Sequence, residues 1–366
     1  PITDNHLIIL EDGTYFTGKD FKPFKEIQIK DDKIILISDV KSNIEGTRIS
    51  AKGKFVIPGL IDAHVHLSGS PAYPYVSVDP LLNAHSSLRC GVTTNVDLFF
   101  PEPLLKSFKD SMVSSPEKYA YVLTAGPILT APDGHGTEYG VPTRIISSPE
   151  EAEKITKNVA KKKEIDLIKF VYSAYSNPTH ALNKEEIKRI INTAHKMHKK
   201  TVVHIDQSSE AMDCIDAGVD ALAHIPGDLM SQSDLEKLKK SGVLLIPTIT
   251  VYESFCEGHT FSYMSDSLLW QSAHPDYMDN FERKELSKPS DYSPSKQEIA
   301  YKENLKNCIK MNIPILAGTD AGNYAVFYGY SLHNELLELK NAGMTASDAL
   351  CAGTQNIQML FPDIKI

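Results

Sequence analysis

From residue 56 onward the chain repeats one pattern, a short apolar run followed by a stretch with helical spacing. Continuous apolar runs suit strands buried on both faces, and strands that alternate with helical segments build parallel βα units. The runs at 56–64, 92–98, 119–125, 166–172, 200–205, 220–224, 243–249 and 313–318 supply eight candidate strands. Eight is the number that closes a barrel. The expected fold class is therefore α/β, a (β/α)8 TIM barrel over residues 56–366. Its clearest helix lies at 183–198, where Asn183 can cap and Ile187, Ile190, Ile191, Ala194 and Met197 form one stripe. His195 and His198 on that helix are expected to face solvent.

Residues 1–55 read differently. Short alternating runs (His6-Leu-Ile-Ile-Leu, Glu26-Ile-Gln-Ile-Lys, Lys33-Ile-Ile-Leu-Ile-Ser) are separated by turn material at Glu11-Asp-Gly-Thr and Asp31-Asp. They predict a small N-terminal β-sheet domain, sandwich-like and antiparallel, of three or four strands, with the extreme C-terminus as a further contributor. Residues 252–296 interrupt the βα rhythm with a connection long enough to act as a lid. It carries Tyr252, Phe255, Phe261, Tyr263, Tyr277 and the only tryptophan, Trp270, which either cover substrate or anchor the insertion.

A formal charge of -9 and the absence of a basic stretch argue against nucleic acid as a partner. No apolar window reaches membrane-spanning length, and the first residues show no signal-peptide pattern. The five cysteines are scattered, without a Cys-x-x-Cys pair, which fits reduced thiols in a cytoplasmic protein. A small-molecule substrate is the expected partner, and a homo-oligomer is compatible with the composition.

The end of the first barrel run reads Val56-Ile-Pro-Gly-Leu-Ile-Asp-Ala-His64-Val-His66. In an extended strand residues i and i+2 point to the same side, so His64 and His66 present two imidazoles together, as a divalent metal requires. Four more ligand-type residues sit in or at the ends of later candidate strands: Lys169, His204, His224 and Asp320. Lys169 lies in the apolar run Asp166-Leu-Ile-Lys-Phe-Val-Tyr, where a charged amine is costly unless neutralised or paired. It is either a carbamate formed with carbon dioxide or the partner of an acid such as Asp320. Catalytic residues of a barrel come from the C-terminal ends of several strands, which is the pattern here. His135, between two glycines after the third strand, is a candidate donor to a substrate carbonyl. Arg144 is a candidate partner for a substrate carboxylate, and Tyr172 and Tyr175 could line a pocket. Gly134, Gly136 and Gly140 do not fit the dinucleotide fingerprint.

The segments Pro58-Gly-Leu-Ile-Asp-Ala-His-Val-His66, Gly91-Val-Thr-Thr and Gly318-Thr-Asp320, with the lysine strand, His204 and His224, resemble the amidohydrolase superfamily of metal-dependent hydrolases over roughly residues 50–357. The branch they are most similar to holds imidazolonepropionase-like and Xaa-Pro dipeptidase-like enzymes. The resemblance implies that His64, His66 and Asp320 hold one metal and His204 and His224 a second, with carbamylated Lys169 bridging them. It also implies a (β/α)8 barrel with a small β-sandwich from both chain ends. The C-terminal strands of that pattern are missing from this sequence, which closes on Phe361-Pro-Asp-Ile-Lys-Ile, so the small sheet is expected to form from N-terminal strands.

The expected activity is hydrolysis of an amide, peptide-like or cyclic amide C–N bond by metal-bound hydroxide, with Asp320 and His135 as catalytic residues. The ligand types suit Zn, with Mn, Co or Fe as other choices, and two divalent ions in all. One alternative is a mononuclear cyclic amide or amidine hydrolase or deaminase. A second, from another class, is a catalytically inactive scaffold of the same fold.

Overall fold

The computed structural model describes residues 7–72, 78–174, 180–255, 266–282 and 294–364. The chain divides after Gly59 into an N-terminal unit and a larger α/β unit that starts at Leu60, four residues beyond the boundary expected from composition.

The N-terminal unit is a five-stranded sheet of β1 (Leu7–Phe16), β2 (Phe21–Lys30), β3 (Lys33–Ser38), β4 (Thr47–Ser50) and β5 (Phe55–Val56). It is mixed rather than antiparallel. β1 pairs antiparallel with β2, while β4 and β5 both run parallel to β1 along its other edge. The Glu11-Asp-Gly-Thr segment does not turn. It stays in the β1–β2 ladder, Glu11 opposite Glu26 and Gly13 opposite Phe24, although Asp12 takes a left-handed φ of 58°, and a Cβ on Gly13 would sit 2.7 Å from the Phe24 ring. Phe24, Ile27 and Ala51 form the core of this sheet. Beside it lies a buried carboxylate, Glu26, which accepts from the Ser42 amide at 2.8 Å, from Ser42 Oγ at 2.7 Å and from Gln28 Nε2.

In the larger unit, β6 (Leu60–Val65), β7 (Val92–Asp97) and β8 (Tyr121–Thr124) form one parallel sheet. A second joins β9 (Leu129–Thr130), β10 (Arg144–Ile145), β11 (Leu167–Val171), β12 (Lys200–His204), β13 (Ala221–Ala223) and β14 (Leu244–Ile246) in the order β10-β9-β11-β12-β13-β14. Short β9 and β10 lie in what reads as loop sequence. The eighth expected strand, 313–318, forms no ladder. It makes a single bridge through Ile315 to Leu245, and Ala317 O accepts from Ala63 N at 2.9 Å. Asp166 N donates to Thr124 O at 2.8 Å beside the other sheet boundary.

Helices connect the strands: α1 (Pro80–Arg89), α2 (Glu102–Ser114), α3 (Pro149–Ala160), α4 (Lys184–Lys196), α5 (Ser208–Ala217) and α6 (Gln232–Ser241). They are followed by α7 (Ile249–Phe255), α8 (Ser267–Ser272), α9 (Pro275–Glu282), α10 (Lys296–Lys310), α11 (Tyr330–Asn341) and α12 (Ala346–Ala352). α4 starts as expected, in a capping box between Asn183 and Glu186, and buries Ile187, Ile190, Ile191 and Ala194. His195 and His198 are exposed. The expected strand 243–249 stops at Ile246 because Thr248 adopts φ 51° and α7 begins at the next residue. No helix among the described residues is long and apolar enough to cross a membrane.

Strand alternation builds two layers. Leu167, Val202, Ala221, Ala223, Leu244 and Ile246 join one cluster with Ile61 and Ala63, while Ile168, Phe170, Val203, Leu222 and Leu245 join the other. Cys90, Cys214 and Cys308 are buried free thiols. Within 252–296, Leu269 and Tyr277 are buried, and Tyr277 Oη donates to Asn83 Oδ1 on α1 at 3.0 Å. Phe255 and Trp270 are exposed, and Phe261, Tyr263 and Cys256 lie outside the described residues.

The Ser42 amide, the largest influence, holds the Glu26 carboxyl down to about 2, against about 4.3 in an unfolded chain. Its contribution to the sheet is therefore complete above that unfolded value and is lost as pH falls toward 2. Replacing Glu26 by Ala should destabilise the sheet by about 1–3 kcal/mol at neutral pH, because its donors lose their acceptor. Hydrogen exchange of the β1–β3 amides in the full chain measures this, and the difference between variant and wild type should shrink as pH is lowered from 5 to 2.

Candidate metal centre

The side chains of His64, His66, Lys169, His204, His224 and Asp320 line one cavity of about 450 Å³, although they are supplied by β6, β11, β12, the residue after β13 and the segment after 313–318. His64 Nε2 and His66 Nε2 approach Asp320 Oδ1 at 3.2 and 2.8 Å. Two ligands about 2.1 Å from a tetrahedral ion stand roughly 3.4 Å apart, so this trio is close to a ligand arrangement. One ligand atom from each of the three lies within 4.8 Å of the others. The ring centroids of His64 and His224 are 5.1 Å apart, and those of His204 and His224 are 4.5 Å apart.

Buried carboxylates hold these strands in place. Asp62, one residue before Ala63 in β6, accepts from Thr319 N at 3.0 Å, Thr319 Oγ1 at 2.7 Å and His64 N at 3.2 Å. It thus ties the strand of the two histidines to the residue before Asp320. The backbone adds Asp320 N to His64 O at 2.8 Å and His66 N to Ala321 O at 2.7 Å. Asp97 accepts from the amides of Leu67 at 2.7 Å and Phe99 at 3.0 Å, and so secures the chain leaving β6 and β7. His224 and Asp320 have left-handed backbones, with φ 76° and 63°. At His224 this breaks the alternation that sends Leu222 one way and Ala221 and Ala223 the other.

Electrostatics suit a cation. Burial holds the imidazoles of His64 and His224 well below the ordinary histidine range, which leaves them neutral and able to donate an electron pair. Burial alone would raise Asp320, but the pull of His64 and His66 when either ring carries a proton, and the approach of His66 Nε2 at 2.8 Å, outweigh it and keep the carboxyl well down. Burial lowers the Lys169 amine to about 7, with Asp320 opposing. Among the described residues Lys169 forms no ion pair with an acid, and its Nζ, with His64 Nδ1 and His66 Nδ1, is buried without a hydrogen-bond partner. Neutral imidazoles, one carboxylate and an unpartnered buried amine together fit a divalent metal, since buried polar groups otherwise find partners.

His135 also lines the cavity, its ring 4.5 Å from that of His204. Burial lowers it to about 4, and its Nδ1 sits 2.7 Å from Glu138 Oε1, so the neutral ring donates there and keeps Nε2 as an acceptor, not the donor to a substrate carbonyl expected from the sequence. Two candidates are not brought to the site. Arg144 is exposed on β10 and pairs with Glu102, and Tyr172 Oη donates to Asp213 Oδ2 at 3.0 Å. Tyr175 lies outside the described residues, and no described residue of 252–296 lines the cavity. Apolar walls come instead from Phe99, Ile128, Val141 and Val171. Asp62, Asp97 and Glu138 escaped the sequence reading, although Asp62 stands inside the same motif as the histidine pair.

The amidohydrolase family model matches residues 55–361, and the chain belongs to this family. A 5'-deoxyadenosine deaminase of Methanobrevibacter smithii is 29% identical over 150 residues, which cover 33% of this chain and 34% of that protein. An ochratoxinase of Aspergillus niger is 24% identical over 256 residues, 59% of this chain and 52% of the relative. The chain thus spans between a third and about half the length of these relatives. Among solved structures, a Xaa-Pro dipeptidase with bound methionine superposes with a TM-score of 0.73 at 18% identity, over 97% of this chain and 89% of the other. A prolidase-like protein of Bifidobacterium longum gives 0.72 at 22% identity, over 98% and 84%. These likenesses establish a shared fold.

Gly318 gives a direct probe of the centre. A Cβ there would stand 2.9 Å from His64 N and 2.5 Å from Ile246 Cγ2, so the backbone carrying the first histidine must shift. Gly318→Ala should lower divalent-metal affinity by about 10-fold or more with helix content unchanged, as metal titration and circular dichroism would show.

Proposed function

We propose that this chain is a metal-dependent hydrolase that cleaves a C–N bond, of an amide, peptide-like or cyclic amide type, in a small substrate. The observation that carries this reading is the convergence of His64, His66 and Asp320 on one point of a cavity that His204, His224 and Lys169 also line. His64, His66 and Asp320 would hold one ion and His204 and His224 a second. Membership of the amidohydrolase family supports the reading, as do relatives named as a deaminase and an ochratoxinase. In this proposal the larger unit is a closed (β/α)8 barrel with 313–318 as its eighth strand, supported by the hydrogen bonds from Ala63 to Ala317 and from Leu316 to Leu245.

When bound, divalent ions such as Zn supply an activated water at neutral pH and polarise the scissile carbonyl. The chain does the rest. Asp320 receives the proton of the attacking water and delivers it to the leaving nitrogen, and this transfer needs a carboxylate that stays ionised among imidazoles. His135, committed to Glu138 through Nδ1, offers Nε2 to a substrate N–H. Lys169, buried and partly unprotonated near neutral pH, can add carbon dioxide and release a proton, and the resulting carbamate would supply an anionic ligand to the ions. A mononuclear enzyme is the second reading, favoured because among the described residues the trio alone meets within 4.8 Å.

Purified protein should retain two divalent ions by elemental analysis and hydrolyse members of a panel of N-acyl amino acids, dipeptides and cyclic imides. Chelation should abolish this activity and added Zn restore it. Asp320→Asn should reduce kcat/KM by about 100-fold or more. One ion per chain, with activity surviving Lys169→Ala, would select the mononuclear reading. No retained metal, or full turnover after its removal, would sink both.

A further inference from the structure

We propose that Glu335, on α11 and remote from the cavity lining, is a positioning residue for the centre: it anchors the first turn of α7 and so holds Thr248 where its hydroxyl orients His224. This rests on the reading that His224 is a metal ligand.

Glu335 is fully buried and accepts three hydrogen bonds from one place, Ile249 N at 3.1 Å, Thr250 N at 2.8 Å and Thr250 Oγ1 at 2.7 Å. Those two amides open α7, where a helix leaves its first N–H groups unsatisfied. The residue before them is Thr248, a β-branched side chain at φ 51°, a conformation that persists only when its surroundings impose it. Its Oγ1 lies 2.7 Å from His224 Nδ1. In this proposal Nδ1 donates to that hydroxyl and Nε2 is left to the cavity, as when a neighbouring acceptor sets the tautomer of a metal-binding histidine. α7 grips the same strand end a second time, through Tyr252 Oη to Ile225 O at 2.8 Å. Thr248, just before α7, and Tyr252 on it thus hold His224 and the residue after it, where the histidine's own φ is 76°. A carboxylate that only stabilised the fold would have no reason to act on the metal through His224, and the test turns on that distinction.

The experiment uses the full chain with Glu335→Ala, Glu335→Gln, Thr248→Val or Thr248→Ser, each alone and combined with His224→Ala. Cobalt(II) affinity is measured by titration against a chelating indicator. Glu335→Ala and Thr248→Val should each weaken the cobalt site that His224 serves by 10–100-fold, Glu335→Gln should do so less, and Thr248→Ser should behave as wild type. None should add a further loss when His224 is already Ala. Equal losses with and without His224, or no loss, would overturn the proposal. Should Glu335→Ala not fold, Glu335→Gln and Thr248→Val carry the same comparison. A second measurement needs no metal: nitrogen NMR of labelled histidine should show His224 as the single Nδ1–H tautomer in wild type and as a mixture in Glu335→Gln and Thr248→Val. An unchanged tautomer would refute the relay, whereas a wild type that binds no cobalt but loses its tautomer preference in the variants would count against the hydrolase reading alone.

Discussion

One buried carboxylate, Asp62, holds the centre together. It binds the amide and hydroxyl of Thr319 and the amide of His64, which joins two segments 257 residues apart in sequence. It reinforces the register that the backbone bonds from Asp320 N to His64 O and from His66 N to Ala321 O set between the paired imidazoles and Asp320. Burial pushes Asp62 up to about 7 while its hydrogen bonds oppose the rise, so it stands among the costlier residues of the core. Its hydrogen bonds offset that cost, and the gain is a rigid meeting point for ligands contributed by distant strands.

The same device recurs around the cavity. Asp97 secures the exits of β6 and β7, and Glu335 the start of α7, each by accepting backbone N–H groups in a region of low dielectric. These acids lie behind the ligands and do not line the cavity. Of the buried polar side-chain atoms without a hydrogen-bond partner among the described residues, those of His64, His66, Lys169 and Asp320 gather in the cavity, while those of Asn95, Thr156 and Asn334 lie outside its lining. The cavity therefore holds the densest group of unpartnered ligand-type atoms among the described residues.

Much of this was legible in the sequence, because strand periodicity puts residues i and i+2 together and apolar runs advertise buried strands. Seven of the eight expected barrel runs contain assigned strands, and the six ligand-type residues meet at one cavity. Three features were illegible for physical reasons. A left-handed backbone at His224, Thr248 or Asp320 leaves no periodic trace, since non-glycine residues rarely adopt it. Side-chain pairing decided the fates of Arg144 and Tyr172, which found Glu102 and Asp213 outside the cavity, and nothing local in sequence encodes such long-range partners. The N-terminal sheet was read as antiparallel because hairpin turns are visible in sequence, whereas the return of β4 and β5 alongside β1 depends on a longer excursion.

The strained threonine before α7 has a consequence for engineering. Selection for heat resistance alone would drift toward glycine or asparagine at position 248, because either relaxes the local backbone at little steric expense. Such a lineage would gain a relaxed backbone and lose the hydroxyl that meets His224 Nδ1 at 2.7 Å, leaving a buried ring nitrogen without that partner.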